Sequence, residues 1–205
     1  MDRLNAALIH GKRLVAADGG ADAALAQGLM PEAVIGDFDS LSAKARATLP
    51  PESLHQVAEQ DSTDFEKVLS RVRAPMLLAV GFLGLRLDHQ LAALTALVAH
   101  AHQPCLLLGT DDIAFAAPPE IALDLAPGSR LSLYPLAPVT GRSAGLEWPI
   151  DGLTFSPSGR IGTSNRVTGP VRLAFDGPGM VVITPPEALD ALLAGFSGRP
   201  SARAR

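Results

Sequence analysis

The segment Val34-Ile-Gly-Asp-Phe-Asp-Ser40 (VIGDFDS) continues a short apolar run into two acidic residues, Asp37 and Asp39. An apolar run of this length between turn residues is typical of a buried strand, here Ala33 to Ile35. The two acids would then emerge at the carboxyl end of that strand. In an open α/β sheet this is the edge where ligands bind, so the segment predicts both a fold class and the position of a site.

Working outward from this segment, strand and helix patterns alternate from Leu4 to Leu108. The helix over 63–73 is the most strongly marked, because its apolar residues share one face and Thr63-x-x-Glu66 has the form of a capping box. Four further strands are predicted at 14–17, 55–58, 76–80 and 105–108. The alternation predicts an N-terminal α/β domain over 1–117, a three-layer, Rossmann-like domain with a parallel sheet.

After about Pro118 the pattern changes to short strands separated by Pro, Gly, Ser and Asn. This spacing is typical of an antiparallel β-sandwich, which we place at 118–205. The predicted strands are 121–125, 130–136, 145–150, 153–155, 171–175 and 180–184, and a helix is predicted over 185–196.

Composition narrows the class of protein. The net charge is −4 and aromatic residues make up 4% of the chain, so neither a basic stripe nor a set of stacking rings for nucleic acid is present. No apolar stretch approaches the roughly 18 residues that a membrane span requires. The single cysteine, Cys105, lies in an apolar run and reads as a buried strand residue. We therefore expect a cytoplasmic protein without nucleic-acid or membrane partners.

Acidic residues also follow the other predicted strands of the first domain. Asp18 follows the strand at 14–17, Asp61 and Asp64 follow the strand at 55–58, and Asp88 follows the strand at 76–80 together with the basic residue Arg86. Because the carboxyl ends of parallel strands meet at one edge, these side chains are expected to gather there. The alternative is that Asp is simply common in turns and at helix starts, and we accept it for the remaining aspartates at such positions, Asp22, Asp111, Asp112 and Asp124.

Electrostatics favours a bound ion beside Asp37 and Asp39. Two carboxylates about 4 Å apart repel by about 4 kcal/mol at an effective dielectric constant near 20, so the pair either keeps a proton or holds a cation. Oxygen-only ligands suit Mg²⁺, which bridges carboxylates to phosphates. Glycines before two helices, in Gly19-Gly20 and Gly81-x-x-Gly84, would let backbone amides approach a phosphate. Arg86 either clamps phosphate oxygens or pairs with Asp88.

Four motifs of the first domain stand together in a recognisable order: Asp18-Gly-Gly-Ala21, Pro31-x-x-Val-Ile-Gly-Asp-Phe-Asp-Ser40, Gln60-Asp-x-Thr-Asp-Phe-Glu-Lys67 and Gly81-x-x-Gly-x-Arg-x-Asp-His89. In order and spacing they resemble the thiamine pyrophosphokinase family. The resemblance extends into the second domain, through Ser132-Leu-x-Pro135, Gly145-Leu-Glu-Trp-Pro-Ile150 and Thr163-Ser-Asn165. It therefore covers nearly the whole chain.

The resemblance implies an enzyme that transfers the terminal diphosphate of ATP to thiamine, with Mg²⁺ as cofactor and a homodimer with a shared active site as the assembly. It also implies that the domain over 1–117 binds Mg²⁺ and the nucleotide, and that the domain over 118–205 binds thiamine. The implied metal ligands are Asp37, Asp39 and Asp61. The implied catalytic residues are Asp88, Arg86, Asp64 and Gln60, with Asp88 orienting or deprotonating the hydroxyl. Thiamine would be recognised by Trp148, Ser164 and Asn165. The nucleotide would be bound at Asp18, Gly19, Gly20 and Gly84.

Three departures from the family pattern keep other hypotheses open. The chain begins at a helix where the family opens with a strand and a Gly-rich turn, Leu85 replaces a glycine before Arg86, and Arg166 follows Asn165. A second hypothesis is therefore a non-catalytic homologue that binds thiamine or a nucleotide. A third is a related Mg²⁺-dependent diphosphotransferase that acts on another alcohol.

Overall fold

In a computed structural model, which describes residues 3–84 and 86–198, the chain is an α/β protein divided into two compact units. The first unit runs to Ala74 and the second begins at Pro75. The predicted fold class is confirmed: parallel strands form the N-terminal sheet, and most strands of the larger C-terminal sheet are antiparallel. Leu85 lies outside the described residues.

Over its described residues, the first unit is a three-stranded parallel sheet with four α-helices and a short 3-10 helix (Pro51–Ser53). Its strand order is β1-β2-β3, so the central strand carries the opening segment of the sequence analysis. Ala16 lies opposite Val34, and Val34 opposite Leu54, in the two parallel ladders. The elements are α1 (Arg3–His10), β1 (Val15–Ala17), α2 (Gly20–Ala26), β2 (Ala33–Gly36), α3 (Ala43–Thr48), β3 (Leu54–Gln56) and α4 (Asp64–Arg71).

Local signals define the helix starts of this unit. The Ser42 side chain accepts a hydrogen bond from the Ala45 amide at the start of α3. Thr63 and Glu66 form the predicted capping box at the start of α4, which satisfies backbone donors that the first helical turn leaves unpaired. Small and branched residues then close a core between the sheet and the helices, made of Ala16, Ala21, Val34, Leu41, Ala45 and Leu49.

The second unit is built on a nine-stranded mixed sheet. The strand order is β10-β9-β11-β8-β12-β6-β5-β4, and β7 pairs with β11 outside this path. Only β4 and β5 pair in parallel among these described strands. The elements are β4 (Leu77–Val80), α5 (Leu87–Ala99), β5 (Cys105–Leu108), β6 (Ile113–Ala116), β7 (Glu120–Leu123), β8 (Arg130–Pro135), β9 (Val139–Leu146), β10 (Thr154–Phe155), β11 (Gly162–Phe175), β12 (Met180–Thr184) and α6 (Leu189–Phe196).

The strands β4 and β5 pair within this sheet, whereas the sequence predicts one parallel sheet for the strands up to residue 110. The physical reason is β6, which the sequence analysis missed: Leu107 and Leu108 pair with it in antiparallel fashion and carry the parallel pair into the larger sheet. The compact units accordingly separate after Ala74, while the predicted domain boundary falls after residue 117. The functional division at that boundary stays a prediction.

The strand predicted over 145–150 was wrong in its extent. The observed strand β9 covers Val139–Leu146 and reaches only the first two of those residues. Gly145 has a φ of +75°, and a Cβ there would lie 2.2 Å from the carbonyl oxygen of Pro170. Such a close approach between neighbouring strands needs glycine, so Gly145 belongs to an irregular part of the sheet.

Within the part of the chain that the structure describes, none of the helices is long and apolar enough to cross a bilayer.

Candidate functional site

The carboxyl ends of β1 and β2 bring Asp18 beside the acidic loop of the opening segment. The Asp18 amide donates to the carbonyl of Ile35, and the amide of Ser40 donates to Asp18 Oδ2 at 3.1 Å. Asp18 has a φ of +40° and is only 1% exposed. Its carboxylate is therefore fixed within the structure at the end of the sheet.

Phe38 separates the two acids of the loop, and its own side chain packs toward the core. It has a φ of +69°, which is uncommon for a residue other than glycine, and its side chain packs against the core cluster of the first unit. The Arg46 guanidinium lies 5.3 Å from the centre of the Phe38 ring. Because the ring packs toward the core, the loop can present Asp37 and Asp39 at the edge of the sheet.

Asp37 has the largest set of partners in this loop. Its Oδ2 accepts hydrogen bonds from Lys67 Nζ and Gln60 Nε2, both at 2.9 Å, and its Oδ1 accepts one from the Asp39 amide at 3.1 Å. The hydrogen bond from Lys67 is the main cause that lowers the pKa of Asp37 to about 2. Asp37 is therefore ionised at neutral pH, and one lone pair of Oδ1 remains available.

Three carboxylates meet at this edge. Asp18, Asp37 and Asp39 each offer an oxygen atom, and these oxygens lie within 4.8 Å of one another. We call these residues the carboxylate cluster. Among the residues that the structure describes, the buried Oδ1 of Asp18 has no hydrogen-bond partner, and burial raises the pKa of this carboxyl although the Ser40 amide opposes the effect. An unpaired buried oxygen among like charges fits a hard divalent cation such as Mg²⁺.

The next strand end contributes Asp64 but holds Asp61 apart from the carboxylate cluster. Asp64 Oδ1 lies 3.3 Å from Lys67 Nζ, and Lys67 thereby joins it to Asp37. Asp61 is exposed, and its amide donates to Glu59 Oε2 at 2.8 Å in a turn that Glu59 also holds through Ser62. Asp61 does not belong to the group of oxygens within 4.8 Å, so its role as a metal ligand stays a prediction.

In the second unit, Arg86 and Asp88 form the pair that the sequence analysis left as an alternative. The guanidinium binds the carboxylate through two bonds, Nη2 to Oδ2 at 2.6 Å and Nε to Oδ1 at 3.1 Å. The side chains are 69% and 65% exposed, so a ligand could compete for either partner. The bond from Arg86 is the main cause that lowers the pKa of Asp88, which makes this carboxylate a weak base.

The predicted thiamine-recognition residues also lie in the second unit. Asn165 is buried and binds the backbone of Trp148 in both directions: its Oδ1 accepts from the Trp148 amide at 3.2 Å, and its Nδ2 donates to the Trp148 carbonyl at 2.7 Å. The indole is 53% exposed. Ser164 has a φ of +61°, and its amide donates to Ser132 Oγ at 2.9 Å. Asn165 therefore acts on Trp148 by holding its backbone.

Arg166 occupies part of the Trp148 surface. Its guanidinium carbon lies 5.9 Å from the ring centre, and its Nε lies 3.0 Å from Glu147 Oε2. A cation at this distance interacts favourably with an indole face. Arg166 therefore covers a position that a cationic ligand ring would also favour.

The predicted nucleotide-binding glycines lie at loop and helix starts. Gly19 immediately precedes α2, Gly20 is the first residue of that helix, and Gly84 follows β4 with a φ of +105°. A Cβ at Gly20 or Gly84 would meet nothing within 4 Å, so open space adjoins both backbones. Their part in phosphate binding stays a prediction.

Asp18 lies at the edge of the sheet where the sequence predicts it, within the carboxylate cluster. The nucleotide-binding role that the resemblance implies for Asp18 stays a prediction. Lys67 was given no role, although its side chain is only 2% exposed and pairs with two acids. A lysine next to the apolar positions of an amphipathic helix usually keeps its ammonium group in water, so no local signal in the sequence marks this burial.

The fold and this edge define the class of protein, an α/β protein with a carboxylate cluster suited to a hard cation. A family model described as "Thiamin pyrophosphokinase, catalytic domain" matches residues 5–107. This match covers half of the chain, and it contains every motif of the first domain on which the resemblance was based. The chain belongs to the thiamin pyrophosphokinase family, as the motifs predicted.

Relatives agree with this assignment. "Thiamine pyrophosphokinase 1" of Oryza sativa subsp. japonica is 28% identical over 156 residues, which cover 67% of this chain and 59% of the rice protein. The chain thus matches less than two thirds of that relative's length.

Solved structures of two further proteins share the fold. The thiamin pyrophosphokinase of Geobacillus thermodenitrificans has a TM-score of 0.73 at 22% identity, with 90% of this chain and 91% of that chain covered. The enzyme of Candida albicans has a TM-score of 0.75 at 15% identity, with 90% and 86% covered. At these identities the similarity establishes the fold alone.

Proposed function

We propose that this protein is a thiamine diphosphokinase that uses ATP and requires Mg²⁺. In this reaction the hydroxyethyl oxygen of thiamine forms a bond to the β-phosphorus of ATP, and the bond from that phosphorus to the α–β bridging oxygen breaks. AMP leaves with the bridging oxygen, and the hydroxyl proton is released. Family membership and the names of the relatives support this assignment.

The carboxylate cluster is the observation that carries the proposal. Asp18, Asp37 and Asp39 would hold Mg²⁺, whose charge offsets that of the phosphates when it is bound. The unpaired buried oxygen of Asp18 favours a cation here, because a buried carboxylate oxygen without a partner costs free energy. Asp61 is kept as a further proposed ligand at the next strand end.

Arg86 and Asp88 are proposed to serve the transferred group and the attacking hydroxyl. Arg86 would exchange its bonds to Asp88 for bonds to phosphate oxygens, for which its forked geometry is suited. Asp88 would then orient the thiamine hydroxyl by accepting its hydrogen bond. Because the bond from Arg86 is the main cause of the lowered pKa of Asp88, this exchange would also make Asp88 a better base.

Trp148 is proposed to bind the aromatic rings of thiamine. Its exposed indole offers a face to a cationic ring, and Asn165 fixes the backbone that carries it. Gln60 and Asp64 are proposed to hold Asp37 and Lys67 in place beside the diphosphate. A homodimer and a cytoplasmic location stay predictions.

Release of AMP from ATP by the full chain, measured with thiamine and Mg²⁺, tests this function. Thiamine-dependent AMP and thiamine diphosphate in equal amounts are the expected result. Calorimetric binding of thiamine without turnover would favour the non-catalytic homologue instead. Turnover with another alcohol but not with thiamine would favour the related diphosphotransferase.

A further inference from the structure

Lys67 is a buried basic residue inserted among the acids of the first unit. It lies on α4 between the buried residues Phe65 and Leu69, and its side chain is 2% exposed. Its Nζ lies 2.9 Å from Asp37 Oδ2 and 3.3 Å from Asp64 Oδ1. A lysine is almost never buried to this degree unless its ammonium group is paired.

The ammonium group of Lys67 lies close to several carboxylates that repel one another. Asp37 also belongs to the carboxylate cluster, and the carboxylates of Asp18 and Asp39 lie close to it. Each further carboxylate in a partly desolvated group raises the free energy of the folded state unless a positive charge compensates it. Within the described residues, Lys67 is the basic side chain that forms ion pairs with Asp37 of this cluster and with the neighbouring Asp64.

We propose that Lys67 is a built-in counter-cation that stabilises the first unit while no divalent cation is bound and positions Asp37 for the cation. Its contact with Asp37 occupies Oδ2 together with Gln60, which leaves Oδ1 with a free lone pair. Lys67 is thus a positioning residue. The inference rests on the proposed function only because Asp37, one of the two acids that Lys67 neutralises, is a proposed cation ligand.

A purely steric role of Lys67 is the competing explanation. In that case the methylene stem of Lys67 fills space beneath α4, and the charge is incidental. The two explanations differ in what happens when one acid is neutralised or a divalent cation is added, because neither change restores lost packing.

The test uses four full-length proteins: the wild type, Lys67→Met, Asp64→Asn and the double variant. Each is first freed of divalent cations with EDTA and is then melted in KCl or in MgCl₂ at the same ionic strength. Methionine keeps much of the volume of the stem and removes the charge. We expect Lys67→Met to lower the metal-free Tm by about 10 °C, since it leaves acids without their cation. Asp64→Asn should restore part of this loss, and Mg²⁺ should raise the Tm of Lys67→Met more than that of the wild type.

The outcomes separate this inference from the proposed function. Additive effects of the two substitutions, together with equal Mg²⁺ shifts for Lys67→Met and the wild type, would overturn the counter-cation role. Recovery by Asp64→Asn without any Mg²⁺ shift in the wild type would support that role and contradict the proposed cation site. If Lys67→Met alone does not fold, folding of the double variant supports the inference, and its failure to fold in both buffers refutes it.

Discussion

Gly36, at the end of β2, lies directly against the side chain of Asp18. A Cβ at Gly36 would be 2.7 Å from the Cβ of Asp18 and 3.1 Å from its Cα and Cγ. The contact lies at the point where β1 and β2 deliver their acids to the carboxylate cluster. The glycine in the opening segment is therefore required by a residue 18 positions earlier in the sequence.

Gly36→Ala is the first prediction. The added methyl group should displace Asp18 and reduce stability by roughly 1–3 kcal/mol, as overpacking in a closely packed region does. Mg²⁺ binding measured by calorimetry should weaken at the same time. Gly177→Ala is the matched control, since a Cβ there meets nothing within 4 Å. Unchanged Mg²⁺ binding in folded Gly36→Ala would contradict the role given to this contact.

Asp39→Asn separates a metal-binding role from a structural one. The Asp39 carboxylate meets Asp18 and Asp37 and accepts a hydrogen bond from Ser40 Oγ at 2.8 Å. Removing one of several like charges should leave the metal-free Tm unchanged or higher, while turnover falls by roughly 100-fold or more because electrostatic stabilisation is lost.

The exposed Asp111→Asn is the charge-matched control for this variant, and its activity should equal that of the wild type. Thermal melts in EDTA and AMP release in Mg²⁺ provide the two measurements. Full activity of Asp39→Asn, or a large loss of its metal-free stability, would argue against Asp39 as a cation ligand.

Individual helices and strands of the first unit were predictable because the residues that define each of them are close together in the sequence. The capping threonine, the apolar face of α4 and the apolar run of β2 each lie within a few residues of one another, and all three were confirmed. By contrast, β6 and the full length of β11 depend on partners far away in the sequence. Only pairing across the sheet makes strands of these segments.

The residues of the candidate site also differ in whether local sequence or distant partners determine their positions. Asp37 and Asp39 were predictable because they follow a recognisable strand. The contribution of Asp18 depends on the register of β1 against β2, and the burial of Lys67 depends on an acid 30 residues earlier. A helical lysine beside apolar positions otherwise indicates a solvated side chain, so only its partners show what it does.

Asn165→Ala should weaken thiamine binding through Trp148. The substitution removes the three hydrogen bonds that Asn165 makes to the backbone of Trp148 and Arg166, and it leaves buried groups unpaired at a cost of about 1–3 kcal/mol. The KM for thiamine should rise more than kcat falls. Quenching of the single tryptophan by acrylamide should change as well, since its backbone is freed.

Asn165→Asp is a second variant that keeps the two accepted bonds but sets a carboxylate oxygen against the carbonyl oxygen of Trp148, where Asn165 now donates. Two acceptors repel there, so this variant should raise KM and lower Tm at least as much as Asn165→Ala. A lower kcat at unchanged KM in Asn165→Ala would instead indicate direct participation in the reaction.

Arg86→Met tests the phosphate-binding role. The Arg86–Asp88 pair is mostly exposed, and exposed ion pairs contribute little to stability, so the Tm should stay within experimental error. Turnover should fall by roughly 100-fold, because charge stabilisation of the transferred diphosphate is lost. Arg160→Met, at an exposed position, is the matched control. If Arg86→Met turned over at the wild-type rate, the phosphate-binding role would be wrong, and Arg86 would serve only to pair with Asp88.

Arg166→Gln should increase the affinity for thiamine. The guanidinium now lies 5.9 Å from the Trp148 ring centre and neutralises Glu147. Its removal would expose the indole face and add an uncompensated negative charge beside a cationic ligand. Cation–π contacts at exposed sites contribute about 0.5–1 kcal/mol, so the Kd measured by calorimetry should fall by roughly 2–5-fold. Arg142→Gln, at an exposed position on β9, controls for the change in net charge. An unchanged or weaker affinity in Arg166→Gln alone would mean that Arg166 does not compete for the ring, and that its pairing with Glu147 supports the bound ligand instead.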